Sequence, residues 1–188
     1  MNNSMCDQPG QLCERAKAGD RQAASELVTL FYERIYSYLR RLCPSDEDAA
    51  DLTQKTFCKA WLSLGSYEGR SSFSTWLHGI AHHVYADWRR QKNFTDAQSD
   101  DWWESCAAHG PNPFEDAAER EMAQQLYALV EQLEEEAKQT VHLHYYQGLS
   151  LKETAVVLGV ATSTVKYRLR EALDSLRSQT AEPKLRIT

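Results

Sequence analysis

The stretch SSFSTWLHGIAHHVYADWRRQK, residues 71–92, places three histidines within six positions, inside an aromatic run that ends in cations. Imidazoles at that density raise metal coordination first. On a helix His78 and His82 share a face at a spacing of four, while His83 is turned well away from His78. Zinc wants three or four ligands, and no Cys or His pair elsewhere stands at motif spacing; His142 and His144, two apart, diverge on a helix. No metal and no cofactor are expected. What remains is Arg89, Arg90 and Lys92 beside Tyr85 and Trp88, with His83 and Asp87 on an adjoining face. Cations hold a nucleic-acid backbone while aromatic and short polar groups stack on bases or read their edges, so single-strand binding is the chemistry expected here. The plainer reading, core tryptophans and solvated arginines, is preferred for Trp76 and stays open for Trp88.

A second constellation lies near the C-terminus. In SLKETAVVLGVATSTVKYRLREAL, Ser150 and Glu153 have capping-box spacing, Ala155 is small where helices cross, and Gly159 supplies a turn. A second helix starts at Thr162 or Ser163. Val165, Leu169, Ala172, Leu173 and Leu176 fall on one face and leave Ser163, Thr164, Lys166, Tyr167 and Arg170 outward. Hydroxyls and cations in the first turns of a helix suit a DNA major groove, against the plainer reading of a helical hairpin with a solvated basic face.

The elements that must position these groups read as helices throughout. Residues 11–42 form two helices broken at Gly19-Asp20, with Asp20 as N-cap and Leu27, Leu30, Phe31, Ile35, Tyr38, Leu39 and Leu42 as an apolar stripe. Pro44 ends that run. Ser45 opens the next helix with three acids in its first turn, and Ala49, Leu52, Phe57, Ala60, Trp61 and Leu64 can face inward. The segment 65–69 interrupts, and Ser74 or Thr75 caps the histidine-bearing helix, whose core face is Trp76, Leu77, Ile80, Ala81, Val84 and Trp88. Gly110-Pro111-Asn112-Pro113 marks a linker. Helices follow from about Pro113 or Phe114 to Glu135 and through Thr140 to Gln147, where Gly148 stops the helix. No strand pattern and no repeat is found. The expected fold is all-α: two small helical domains joined by an acidic flexible linker.

Charge is divided unevenly. The formal net charge is −6, yet residues 1–97 are neutral, 98–137 carry −10 and 138–188 carry +4. Five cysteines (Cys6, Cys13, Cys43, Cys58, Cys106) are odd in number, scattered and without CxxC, which reads as reduced thiols. No apolar run is long enough to span a bilayer and MNNSMCDQPG is no signal peptide, so a cytoplasmic protein is expected. No glycine-rich phosphate loop, nucleophile elbow or HExxH motif is present, and no enzyme is expected.

Taken together the two halves resemble an extracytoplasmic-function (ECF) sigma factor of bacterial RNA polymerase. DEDAADLTQKTFCKAW, residues 46–61, is similar to the D-x-x-D-x-x-Q-x-x-F-x-x-x-W signature of region 2. Residues 69–90 resemble F-x-T-W-L-x-x-I-A-x-N-x-x-x-D-x-x-R, and GLSLKETAVVLGVATSTVKYRLREAL resembles region 4. The resemblance implies a disordered N-terminus over 1–10, region 2 over 11–97, an acidic linker over 98–118, region 4 over 119–180 and a tail over 181–188. It implies polymerase contacts at the clamp helices by Asp51, Gln54, Lys55, Phe57 and Trp61. The −10 promoter element would be recognised and melted by the loop 66–74 and the following helix, through Ser71, Ser72, His83, Asp87, Trp88, Arg89 and Arg90. The −35 duplex would be read by Ser163, Thr164, Lys166, Tyr167, Arg168 and Arg170. A C-terminal pocket using Leu143 and Tyr146 would take the polymerase flap tip, and an anti-sigma factor is the expected restraint, with no membrane insertion by this chain itself. Asp100, Asp101 and Glu104 with Trp102 and Trp103 could imitate a polyanion in a basic polymerase channel.

Three positions depart from the family pattern. His83 stands where the family has Asn, which bears on the base taken there. Ser163 replaces a Gly, and Leu133-Glu134 replaces Leu-Pro, so that helix boundary is expected to blur. A second class of function is a stand-alone helix-turn-helix regulator with an N-terminal effector- or metal-sensing domain. It would bind duplex DNA tightly by itself.

Overall fold

The computed structural model describes residues 8–95 and 126–181, and no strand occurs among them. Their helices fall into two compact units. The linker 98–118 with its acids and tryptophans, Cys6, Cys106 and the tail beyond Ala181 lie outside the described residues.

In the first unit α1 (Gln8–Lys17) opens inside the stretch expected to be without structure, with Pro9 in a first turn that needs no amide from it. Gly19, at φ +93°, turns the chain. Asp20 then caps α2 (Arg21–Arg40), its Oδ1 accepting from the amides of Gln22 (2.9 Å) and Ala23 (3.1 Å). The Ala23 N–H and the Arg15 guanidinium hold the Asp20 carboxyl below the usual carboxylate range. Ser45 caps α3 (Asp46–Ser63), accepting from the Asp48 amide at 3.1 Å, with Asp46, Glu47 and Asp48 against the positive end of the dipole. A 3-10 turn, Leu64–Ser66, leads to a loop and then α4 (Phe73–Thr95). Its cap is Ser72, not Ser74 or Thr75: the Ser72 Oγ accepts from the Thr75 amide at 3.2 Å.

The core is rotated from the expected stripes. On α3 the buried residues are Ala49, Leu52, Thr53, Thr56 and Ala60, while Phe57 is only half-buried and Trp61 is exposed. Threonine can sit inside because its hydroxyl returns to the preceding turn: Thr53 donates to the Ala49 carbonyl and Thr56 to that of Leu52, each at 2.7 Å. On α4 the inner face is Phe73, Leu77, Ala81, Val84 and Tyr85, with Trp76, Ile80 and Trp88 at its margins. His78 is fully buried there, its Nδ1 2.8 Å from the Ser74 carbonyl. On α2 Leu30 points out of the stripe to which it was assigned.

The second unit begins with α5, residues 126–131. The chain breaks sharply at 132–134, not at Glu135. Glu134 adopts extended ψ (142°) and its carbonyl accepts from the Lys138 amide at 2.8 Å, so the boundary is crisp without a proline. α6 (Glu135–Val141) runs into a widened turn, His142–Tyr146, where the Gln147 amide reaches the His142 carbonyl at 3.0 Å. α7 (Leu151–Leu158) carries the expected capping box, with the Ser150 amide donating to Glu153 Oε2 (2.9 Å) and the Glu153 amide to Ser150 Oγ (3.2 Å). Gly159, at φ +66°, makes the turn into α8 (Thr162–Ala181). Val130, Leu133, Val141, Ala155, Val165, Leu169 and Ala172 form the core. Leu173 is exposed rather than inward.

Glu131 ties α5 to α6 and the widened turn. Its Oε2 accepts from Lys138 Nζ at 3.1 Å, and its Oε1 lies 3.5 Å from His142 Nε2. Burial alone would raise this carboxyl, but His142 and Lys138 outweigh it and hold it below its ordinary value. A lowered folded-state value stabilises above the unfolded one and is lost as pH falls through the folded one. Glu131→Gln is therefore expected to destabilise the protein by about 1 kcal/mol at neutral pH. The gap should close in acid. Urea unfolding of both proteins across that range measures it, and a gap that persists in acid would contradict the assignment.

Candidate functional site

On the outer side of α2 and α3 lies an open apolar groove of roughly 910 Å³. Asp51, Gln54, Phe57 and Trp61 of α3 line it together with Val28 and Tyr32 of α2. The Tyr32 ring lies nearly parallel to those of Tyr36 and Phe57, each with its centroid 6.2 Å away. Trp61 is 48% exposed and Leu62 87%, so the groove shows solvent a surface of the kind usually covered by a partner. Lys55 stands beside it, paired with Asp51 at 2.5 Å across one turn. Four of the five residues expected to meet a partner thus share one concavity. Val28, Tyr32, Cys58 and Leu62 were not singled out by the sequence reading. The signal was the Val28/Tyr32 pair at a spacing of four, offset by one from Leu27/Phe31.

The second surface is the loop before α4 and the outer side of that helix. Ser71 is half-buried and Ser72 is occupied as the cap. His83 and Arg90 are exposed, while Asp87, Trp88 and Arg89 are partly covered. Asp87 accepts from Arg90 and from Lys59 of α3 (3.4 Å), and the Arg90 guanidinium foremost holds its carboxyl below the usual range. Lys92 lies 4.8 Å from the centre of the Trp88 ring and 3.6 Å from Asp48, making that tryptophan a stacking surface already faced by a cation. The histidines do not converge: His78 is in the core and His82 packs beside His83 at 5.8 Å. Among the described residues no group of three or more His, Cys, Asp or Glu could hold a metal ion.

The third surface is α8. Ser163, Lys166, Tyr167 and Arg170 are exposed and Thr164 is half-covered. The Tyr167 hydroxyl donates to Glu171 Oε1 at 2.5 Å, which raises its own pKa. Arg168 differs from its neighbours: it turns back to pair with Glu136 of α6. Leu143 is wholly buried and cannot line an open pocket, whereas Tyr145 and Tyr146 are exposed.

Comparison with known proteins assigns the two units. Residues 27–95 match the family model of sigma-70 region 2, and residues 123–176 that of sigma-70 region 4. The ECF RNA polymerase sigma-E factor of Escherichia coli (strain K12) is 32% identical over 186 residues, covering 93% of this chain and 96% of the relative. The chain belongs to the ECF sigma factors. The RNA polymerase sigma-H factor of Pseudomonas aeruginosa is 30% identical over 181 residues, covering 89% of this chain and 93% of that one. The fold is shared with two solved complexes. One is the sigma factor RpoE with the anti-sigma factor NepR from Bartonella quintana (TM-score 0.72, 21% identity, 85% of this chain and 98% of that one). The other is CnrH with the cytosolic domain of CnrY (TM-score 0.68, 23% identity, 93% and 97%). Members of this family are transcription initiation factors, and the stand-alone regulator is not favoured. No helix among the described residues of this ECF sigma factor is long and apolar enough to cross a membrane.

Proposed function

We propose that this ECF sigma factor binds core RNA polymerase through the α2–α3 groove and directs promoter recognition, melting and transcription initiation. Asp51, Gln54, Phe57 and Trp61 meet the polymerase clamp helices, with Lys55 at the edge. The loop 66–74 and α4 engage the −10 element, His83, Asp87, Trp88, Arg89 and Arg90 facing the unpaired strand. α8 reads the −35 duplex with Ser163, Thr164, Lys166, Tyr167 and Arg170, while Arg168 braces the helix from behind. Exposed Tyr146 and Tyr145 meet the flap tip, in place of Leu143. Region 2 extends over 11–97, the acidic linker over 98–118 and region 4 over 119–180. The chain works in the cytoplasm, catalysis belongs to the polymerase, and an anti-sigma factor restrains it; the sigma factor RpoE of Bartonella quintana, similar in fold, forms a complex with the anti-sigma factor NepR.

The observation that supports this best is the exposed aromatic groove beside a basic, aromatic helix: an association surface and a strand-binding surface within one small unit. Transcription by purified core polymerase from a promoter library, with and without this protein, tests it. New start sites are expected, and Arg89→Ala/Arg90→Ala should cut them about tenfold while flattening the salt dependence of DNA binding by roughly two charges. Lys166→Ala should act on −35-dependent promoters only. Tight duplex binding by the protein alone, with no new starts, would sink the reading.

A further inference from the structure

We infer that Lys17 of α1, acting through Tyr67, is a positioning residue that sets the shape of the loop 67–72 for reading an unpaired −10 base; this rests on the function proposed above. The loop has no regular structure, so its backbone polar groups need partners from elsewhere. Tyr67 supplies or receives two of them. Its hydroxyl donates to the Ser71 carbonyl at 2.7 Å and closes the loop across its base. Its own carbonyl accepts from Lys17 Nζ at 2.6 Å, fifty residues away in sequence.

The tyrosine is held on its other sides as well. Its ring packs against Trp76 (5.0 Å) and Phe73 (5.8 Å), both on α4, and the Lys17 ammonium lies 5.3 Å from its centre. Lys17 is itself fixed by Glu14, one turn earlier, at 2.7 Å, and its side chain is only 21% exposed. Beyond the Tyr67–Ser71 closure the loop tip points outward, with Gly69 at φ +72° and Glu68 and Arg70 paired in solvent. A rigid base under an exposed polar tip is the arrangement that fixes a recognition shape before a ligand arrives, which sharpens discrimination. α1 falls outside the residues matched by the region 2 model, which start at 27.

The test uses holoenzyme assembled from core polymerase and the full chain, with Lys17→Met, Lys17→Arg and Tyr67→Phe. The probes are four non-template-strand oligonucleotides from a promoter that the wild type opens, differing in the one base read by the loop. Lys17→Met should narrow the spread of affinities among the four about tenfold, with affinity for core unchanged. Lys17→Arg should restore part of the spread, and Tyr67→Phe, which keeps the ring, should narrow it as Lys17→Met does. A role confined to stability would lower all four affinities together and be mirrored in the unfolding midpoint. That result, or an unchanged spread in Lys17→Met, overturns the inference. Should Lys17→Met fail to fold, Tyr67→Phe decides. A wild type that opens no promoter fails the functional reading itself, which is a separate outcome.

Discussion

Trp61→Ala should weaken association with core polymerase about a hundredfold while leaving folding stability nearly untouched. The indole is 48% exposed at the rim of the α2–α3 groove, so truncating it removes little that the free protein uses. A partner that fills the groove would bury that ring, and buried aromatic anchors commonly cost about 2–4 kcal/mol on truncation, which spans a hundredfold in affinity. Two neighbours provide contrast. Phe57→Ala should weaken association as well, but with a stability loss, because Phe57 stacks on Tyr32 in the free protein. Asp51→Ala should do much less, since Asp51 and Lys55 form an exposed pair across one helical turn. Competition binding to fluorescent core polymerase separates the three. Unchanged affinity for Trp61→Ala would show that the partner docks elsewhere.

Leu77→Ala should be the most destabilising of the single changes considered, at about 3 kcal/mol. Leu77 has no exposed surface and sits in the middle of the inner face of α4, which packs against both α2 and α3. Its removal leaves a cavity that three helices would have to close together. Ile80→Ala, three residues on at the margin of the same face, should cost markedly less. Urea midpoints at constant slope give the comparison. Equal losses at the two positions would mean that α4 is rotated from the face described, and with it the outward side assigned to DNA.

Local signals were the legible ones. Asp20, Ser45 and the Ser150/Glu153 box each do in the structure what their spacing implied, because a cap is settled by three or four consecutive residues. Gly159 turns the chain for the same reason. Hydrophobic periodicity went astray where a polar side chain could satisfy itself: Thr53 and Thr56 took the inner positions of α3, and the larger rings of Phe57 and Trp61 were left for the groove. The acidic and basic character of the surfaces was visible, but not which charges bind each other. Arg168 looked like one more cation of a DNA-facing helix until its pairing with Glu136, thirty-two residues earlier, was seen. The Lys17–Tyr67 link has no local signature at all, since nothing within a helix turn of either residue announces the other.

The cations around the surface proposed for the −10 element arrive with their own counter-ions. Lys59 and Arg90 share Asp87, and Lys92 leans on Asp48. If this face takes a strand as proposed, engagement is in part an exchange of one anion for another, with phosphate replacing carboxylate. Two carboxylates offset part of the charge of these three cations, so the face would draw passing DNA less strongly than bare cations would. On that reading, part of the restraint against stray nucleic acid would lie in the ion pairs that join α3 to α4.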